Sequence, residues 1–190
     1  MYGCWCNGKR IGGATVPPFA LVTVATVLRE IADVVFLDAQ AEQLSLEEIV
    51  ARAPAVDLIV SSTSTMSFAE DAECLLELKR LYGPETRSAV FGSHPTFLPY
   101  HTLSHAGVDI GIRGEPEVIL QELVRSMSAG TEEWRRVGGT ENRDVNGQPV
   151  VNPDHPFLDD LDRIPFPDVT LLPKGVLYYN PLIERFPYMT

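Results

Sequence analysis

The chain has 190 residues, a net charge of −11, 45% hydrophobic residues and 22% charged residues, the make-up of one ordinary globular domain with an extension. The acidic balance excludes a nucleic-acid surface, which needs clustered Lys and Arg to neutralise phosphates. No apolar run approaches the roughly 20 residues of a membrane span and nothing reads as a signal peptide, so the expected location is the cytoplasm.

The stretch before Pro17, "MYGCWCNGKRIGGATV", is Gly-rich and loop-like. Either Ile11 to Val16 is a poor strand, or the chain begins inside the loop that follows a first strand; the second is preferred. "PPFALVTVATVLREI" puts two prolines at a helix entrance and then apolar residues at helical spacing. "DVVFLDA" (33–39) is a short run of β-branched and aromatic residues, read as a buried strand. "SLEEIVARA" (45–53) opens with a capping box of Ser45 and Glu48. A strand is expected at 57–63, an amphipathic helix at 67–83 closed by Gly83, a strand at 87–92 and a weaker helix at 95–107 broken near Pro99. "DIGIRG" (109–114) reads as a fourth strand and 115–130 as a clear helix ending at Gly130. Strands that alternate with helices and are apolar throughout imply a doubly wound α/β domain over residues 1–130, its parallel sheet covered on both faces. Beyond it, Asn146-Gly147 signals a β-hairpin, and "PDHPFLDDLDRIPFPDVTLLPKG" reads as an extended linker in a second segment, 131–190. The run "RFPYMT" has no helix end and no polar tail, so a further domain is expected downstream.

In such a sheet ligands bind beyond the carboxyl ends of the strands, where three loops stand out. "SSTSTMS" (61–67) offers the hydroxyls of Ser61, Ser62, Thr63, Ser64 and Thr65 just before a helix. It is either a cradle for amides, phosphate or sugar, or a helix cap with spare serines. "FGSHPTFLP" (91–99) has Gly92 for close backbone approach, then Ser93, then His94 held extended at a loop tip by Pro95. "IRGEPE" joins Arg113, Gly114 and Glu115 in a tight turn. Its acidic residues either complement a positive helix end or face a ligand edge, with Glu115 accepting a hydrogen bond from it. No phosphate loop, dinucleotide fingerprint or nucleophile elbow is present. The three cysteines, Cys4, Cys6 and Cys74, have neither disulfide-framework nor zinc spacing. No catalytic set and no metal ligands are assigned within the chain.

These segments, above all "DLIVSSTST" and "VFGSHPTFLPYHTLSHAGVDIGIRGEPEVILQELV", resemble the amino-terminal cobalamin-binding domain of radical S-adenosylmethionine enzymes, methyltransferases and ring-closing cyclases among them. The resemblance runs from about Pro17 to Tyr179. It implies a Rossmann-like, flavodoxin-like fold with a C-terminal hairpin and linker. It implies cobalamin on Ser61–Thr65, Gly92–His94 and Arg113–Glu115, with Gly92–Thr96 matching the family's "GGPHPT" loop and Arg113–Glu117 its "RGEGE" loop. Pro116 replaces a glycine of that loop and removes a backbone donor. The chain has no Asp-x-His-x-x-Gly pattern to supply a lower axial ligand, as expected for the radical subfamily. An iron–sulfur cluster and S-adenosylmethionine are expected only in a downstream radical domain, which would be this domain's partner, together with a small-molecule substrate. The segment is not expected to be catalytic alone. The alternative is a degenerate fold that binds no cobalamin and serves as a structural or substrate-recognition lobe; a nucleotide- or flavin-binding regulator is weakened by the missing phosphate motifs.

Overall fold

Helix α1 (Phe19–Leu28) starts behind Pro17 and Pro18 as expected, and buries Val22, Val24, Ala25, Val27 and Leu28. The computed structural model describes residues 16–178. Thr23 and Thr26 are tolerated inside α1 because their hydroxyls donate back to the carbonyls of Phe19 and Val22, at 2.9 and 2.7 Å. After it comes a correction: residues 33–39 do not form a strand. Residues 33–38 have no regular structure and Ala39 opens the single-turn helix α2 (Ala39–Glu42) behind Asp38, whose carboxylate accepts from the Ala41 amide at 3.0 Å. Apolar composition alone does not make a strand; a ladder neighbour is needed. In this run Val34 packs on the core while Val35 is 58% exposed. Helix α3 (Leu46–Arg52) carries the expected capping box, with Ser45 and Glu48 exchanging side-chain and backbone hydrogen bonds.

The sheet begins with β1 (Leu58–Thr63), followed by α4 (Phe68–Tyr82) and β2 (Arg87–Gly92). The weak helix expected at 95–107 is two short ones, α5 (Ser93–Phe97) and α6 (Pro99–Thr102), parted at Leu98 because Pro99 disfavours a helical residue before it. Strand β3 (Ile110–Ile112) is shorter than "DIGIRG", and α7 (Pro116–Ser128) follows. Pro116 takes the first helical position, where its missing N–H costs no intrahelical bond. The Asn146-Gly147 hairpin forms from β4 (Thr140–Arg143) and β5 (Pro149–Val151), its turn held by Asp144, which accepts from the Asn146 and Gln148 amides, both at 2.8 Å.

The five strands lie side by side in the order β1-β2-β3-β4-β5. The pairs β1–β2 and β2–β3 are parallel, and β3–β4 and β4–β5 antiparallel. The hairpin thus extends the same sheet. Alternate residues of β2 divide the core. Ala89 and Phe91 pack with Ile110, Ile112 and the α1 and α7 residues Val24, Ile119, Leu120 and Leu123. Val90 points the other way, to Phe68, Ala72 and Leu75 of α4. Burying each large aliphatic side chain stabilises the fold by about 1.5–3 kcal/mol. The result is a mixed Rossmann-like sheet with helices on both faces.

Candidate functional site at the carboxyl ends of the parallel strands

The parallel strands end level with one another, since Thr63 pairs with Gly92 and Phe91 with Ile112. The three loops singled out in the sequence therefore leave one rim of the sheet.

The first of these is anchored by a residue that sequence reasoning missed. Asp71, in the first turn of α4 and 5% exposed, accepts hydrogen bonds from Thr63 Oγ1 at 2.8 Å and Ser67 Oγ at 2.7 Å. The Ser67 amide in turn donates to the Ser64 carbonyl at 3.2 Å. Thr63 is thus turned inward, while Ser61, Ser62 and Ser64 are half-buried and Thr65 and Met66 are exposed. A signal for Asp71 existed: an acid inside a helix, eight residues after a β-strand threonine, with serine four residues before it.

The second loop turns on Gly92, at φ 120° and ψ −163°. A Cβ there would stand 2.2 Å from the Thr63 carbonyl oxygen, so only glycine lets β1 and the start of α5 approach this closely. Ser93 is exposed. His94 is not at an extended loop tip; it lies within α5 and is 2% exposed. Its ring stacks on Phe68, with centroids 3.9 Å apart and planes 13° apart, and its Nε2 is 3.0 Å from Nδ1 of His101. Burial, and secondarily the His101 ring, hold its pKa below the ordinary histidine value and favour the neutral form. Phe97 and Tyr100, beyond it, are 77% and 66% exposed, and Met66 on the first loop is 80% exposed.

In the third loop Gly114 adopts φ 95°, which demands glycine, although a Cβ would find its nearest neighbour, Ile119 Cδ1, 3.8 Å away. Its flanking side chains face the linker. Arg113 Nη1 meets Asp154 Oδ1 at 2.6 Å and its Nη2 donates to the Asn152 carbonyl. Glu115 Oε2 accepts the Leu158 amide at 2.7 Å. The linker also reaches α1, where Arg29 pairs with Asp168 at 2.7 Å, and Tyr178 donates to Asp38 at 2.8 Å.

Behind this loop lies a buried acid that the sequence did not announce. Glu141 of β4 is fully buried and opposite Gly111, where a Cβ would meet its Oε1 at 2.0 Å. Among the described residues neither carboxyl oxygen has a hydrogen bond within ordinary distance, and Arg113 Nε, which likewise has none, forms an ion pair with Glu141 at 4.0 Å. Burial pushes the Glu141 pKa from 4.5 up to about 8, against the opposing pull of Arg113.

Among the described residues no group of three or more His, Cys, Asp or Glu is placed to hold a metal ion, and no helix is long and apolar enough to cross a membrane. What the rim does offer is a glycine-lined backbone edge, the hydroxyls of Ser64, Thr65 and Ser93, and apolar surface at Met66, Phe97 and Tyr100. That mixture suits a broad, partly apolar ligand with amide or hydroxyl edges.

A family model described as "B12 binding domain" matches residues 12–124. An uncharacterized methyltransferase, PH0819, from Pyrococcus horikoshii is 32% identical over 167 residues, covering 87% of this chain and 36% of its own length. The anaerobic magnesium-protoporphyrin IX monomethyl ester cyclase of Rubrivivax gelatinosus is 29% identical over 184 residues, covering 92% of this chain and 33% of its own. The chain therefore spans about a third of the length of these relatives. Among solved structures, the radical S-adenosylmethionine methyltransferase TsrM from Kitasatospora setae, with cobalamin and a [4Fe-4S] cluster bound, superposes with a TM-score of 0.65 at 22% identity, over 82% of this chain and 29% of its own. The cobalamin-dependent S-adenosylmethionine radical enzyme OxsB, with aqua-cobalamin bound, gives a TM-score of 0.68 at 18% identity, over 85% of this chain and 23% of its own. At these identities the two structures establish the shared fold.

Proposed function

The chain belongs to the B12 binding domain family, and on that premise we propose that it is the cofactor-binding module of a larger cobalamin-dependent radical S-adenosylmethionine enzyme of methyltransferase or cyclase type. The observation that carries this reading is the level rim at which β1 and β2 end together, closed by Gly92 against the Thr63 carbonyl, with exposed hydroxyls and apolar side chains standing beside it. A corrin is a broad ring fringed with amides, and this donor set fits it. Ser64, Thr65 and Ser93 would hydrogen-bond its amide edge, Ser61 and Ser62 would border its path along β1, and Met66, Phe97 and Tyr100 would cover apolar surface. Bound cobalamin supplies cobalt-centred methyl or electron transfer, chemistry that the protein orients and shields. Thr63, latched to Asp71, sets the loop. His94, stacked on Phe68 and bonded to His101, forms a neutral floor. Arg113, Gly114 and Glu115 contribute the turn and fasten the linker, which would lead to the radical domain that holds the iron–sulfur cluster, S-adenosylmethionine and the substrate. On this reading the module performs no chemistry by itself.

Titration with hydroxocobalamin, followed by visible spectroscopy, tests the proposal. Saturable one-to-one change in the corrin bands is expected, weakened at least about tenfold, or about 1.4 kcal/mol, by Ser93→Trp, which blocks the rim at an exposed position. No saturable change in a chain whose circular dichroism is that of a folded domain would reject cobalamin binding and favour a structural or substrate-recognition lobe.

A further inference from the structure

His94 and His101 lie seven residues apart, which in one continuous helix would be about 10 Å along the axis. The break at Leu98, with φ −132° and ψ 56°, turns α6 out of line with α5 and brings His94 Nε2 to 3.0 Å from His101 Nδ1. The ring planes meet at 71°. Their surroundings differ. His94 is 2% exposed and stacked on Phe68, whereas His101 is exposed. Among the described residues the buried His94 Nδ1 has no hydrogen-bond partner. A buried bare nitrogen costs less than a buried orphan N–H, so the one proton of the neutral His94 ring belongs on Nε2. From there it donates to His101 Nδ1, which accepts only while unprotonated. The charged groups on the neighbouring elements are engaged elsewhere: Asp71 of α4 with Thr63 and Ser67, Glu73 of α4 with His105 at 3.6 Å, and Glu141 of β4 against Thr102. Strands β1 and β3 hold no charged residue, and Arg87 of β2 lies at the strand's far end over Trp134. His101 is therefore the titratable group in contact with His94.

We propose that the His94–His101 hydrogen bond is an acid-released clasp on the cobalamin rim, with His101 as its positioning residue. This rests on the cobalamin reading above. The clasp spans the elbow between α5 and α6, and that elbow carries the rim residues Ser93, Phe97 and Tyr100. While both rings are neutral, the bond holds those side chains at one spacing from Gly92. A proton arriving at low pH takes the Nδ1 lone pair of His101, and two N–H groups then face each other. Keeping the bond would need the His94 proton moved to its buried Nδ1, or a charge carried on the His94 ring in a dry site. Opening costs less, because the exposed His101 ring can turn to water. Affinity for cobalamin therefore stays level above the pH range in which histidines titrate and falls as pH falls through it.

Two measurements on the whole chain test this. Nitrogen-15 NMR of the histidine rings at pH 8, without cobalamin, reports which His94 nitrogen holds the proton. Nε2 is expected, and a proton on Nδ1 would overturn the proposal whether or not cobalamin binds. Equilibrium dialysis then follows cyanocobalamin, whose upper ligand an imidazole does not displace, from pH 8 to pH 5.5. The native Kd should rise about fivefold or more, the worth of one neutral hydrogen bond. His101→Asn sets an amide oxygen near the place of Nδ1 and takes up no proton. It should bind within about twofold of native at pH 8 and lose the pH dependence. His101→Phe, which has no acceptor, should bind about fivefold more weakly at every pH, and His101→Asn decides the matter if that chain does not fold. A native pH profile retained in His101→Asn would overturn the clasp. Failure of every chain to bind at any pH, with the His94 proton found on Nε2, would sink the cobalamin reading and the rim's clasp with it, while leaving the hydrogen bond itself established.

Discussion

Replacing Glu141 by Gln separates a buried acid's cost from its packing. In the folded chain Glu141 keeps its proton up to about pH 8, whereas an unfolded chain releases it near 4.5. Between those values the native state binds more protons than the unfolded state, so Glu141 makes stability fall as pH rises through the window and has no further effect above or below it. A rise from 4.5 to about 8, at about 1.36 kcal/mol per pH unit, is worth about 5 kcal/mol at full extent. Gln has the same shape and no proton to lose. His94 works with the opposite sign, since its neutral buried ring favours higher pH, but it is common to both chains and cancels in the difference. Urea unfolding followed by tryptophan fluorescence from pH 5 to 9 should show the two chains within about 1 kcal/mol at pH 5 and Glu141→Gln ahead by about 3–5 kcal/mol at pH 9. Two curves that run parallel across that range would refute the reasoning and mean that Glu141 is ionised throughout, its charge held by Arg113.

Gly92→Ala should cost about 2–4 kcal/mol, because its Cβ would meet the Thr63 carbonyl at 2.2 Å on a left-handed backbone. Gly83→Ala, equally left-handed with nothing within 4 Å, should cost only about 1 kcal/mol, and denaturant midpoints of the pair distinguish contact from backbone strain. Asp71→Ala strands the Thr63 and Ser67 hydroxyls in a buried site and should cost about 1–3 kcal/mol, while Asp71→Asn, which keeps an acceptor oxygen, should recover part of that loss in the same measurement.

Much of this architecture is written locally. The prolines before α1, the Ser45–Glu48 capping box, the apolar faces of α4 and α7, the break at Pro99 and the Asn146-Gly147 turn all act over one to four residues, and each formed where its signal stood. The family resemblance likewise rests on short loops, which the chain brings to one rim of the sheet.

What tertiary structure alone decided is where side chains of distant segments meet. Arg113 and Glu115 were expected beside a ligand, yet they hold Asp154 and Leu158, 41 and 43 residues away, because the linker folds back over the start of α7. His94 looked like a loop-tip residue, but Gly92 starts α5 early and carries its ring onto Phe68. Residues 33–39 have a strand's composition, yet 33–38 take no regular structure and Ala39 opens a helix, since a ladder depends on a neighbouring backbone that composition does not specify. Glu141 lies between residues with no period to mark it as inward, and only the antiparallel pairing of β4 with β3 sets it over Gly111 in the dry interior. Caps, breakers and helical faces are properties of a few successive residues, whereas burial and partnership belong to the packing of the whole chain.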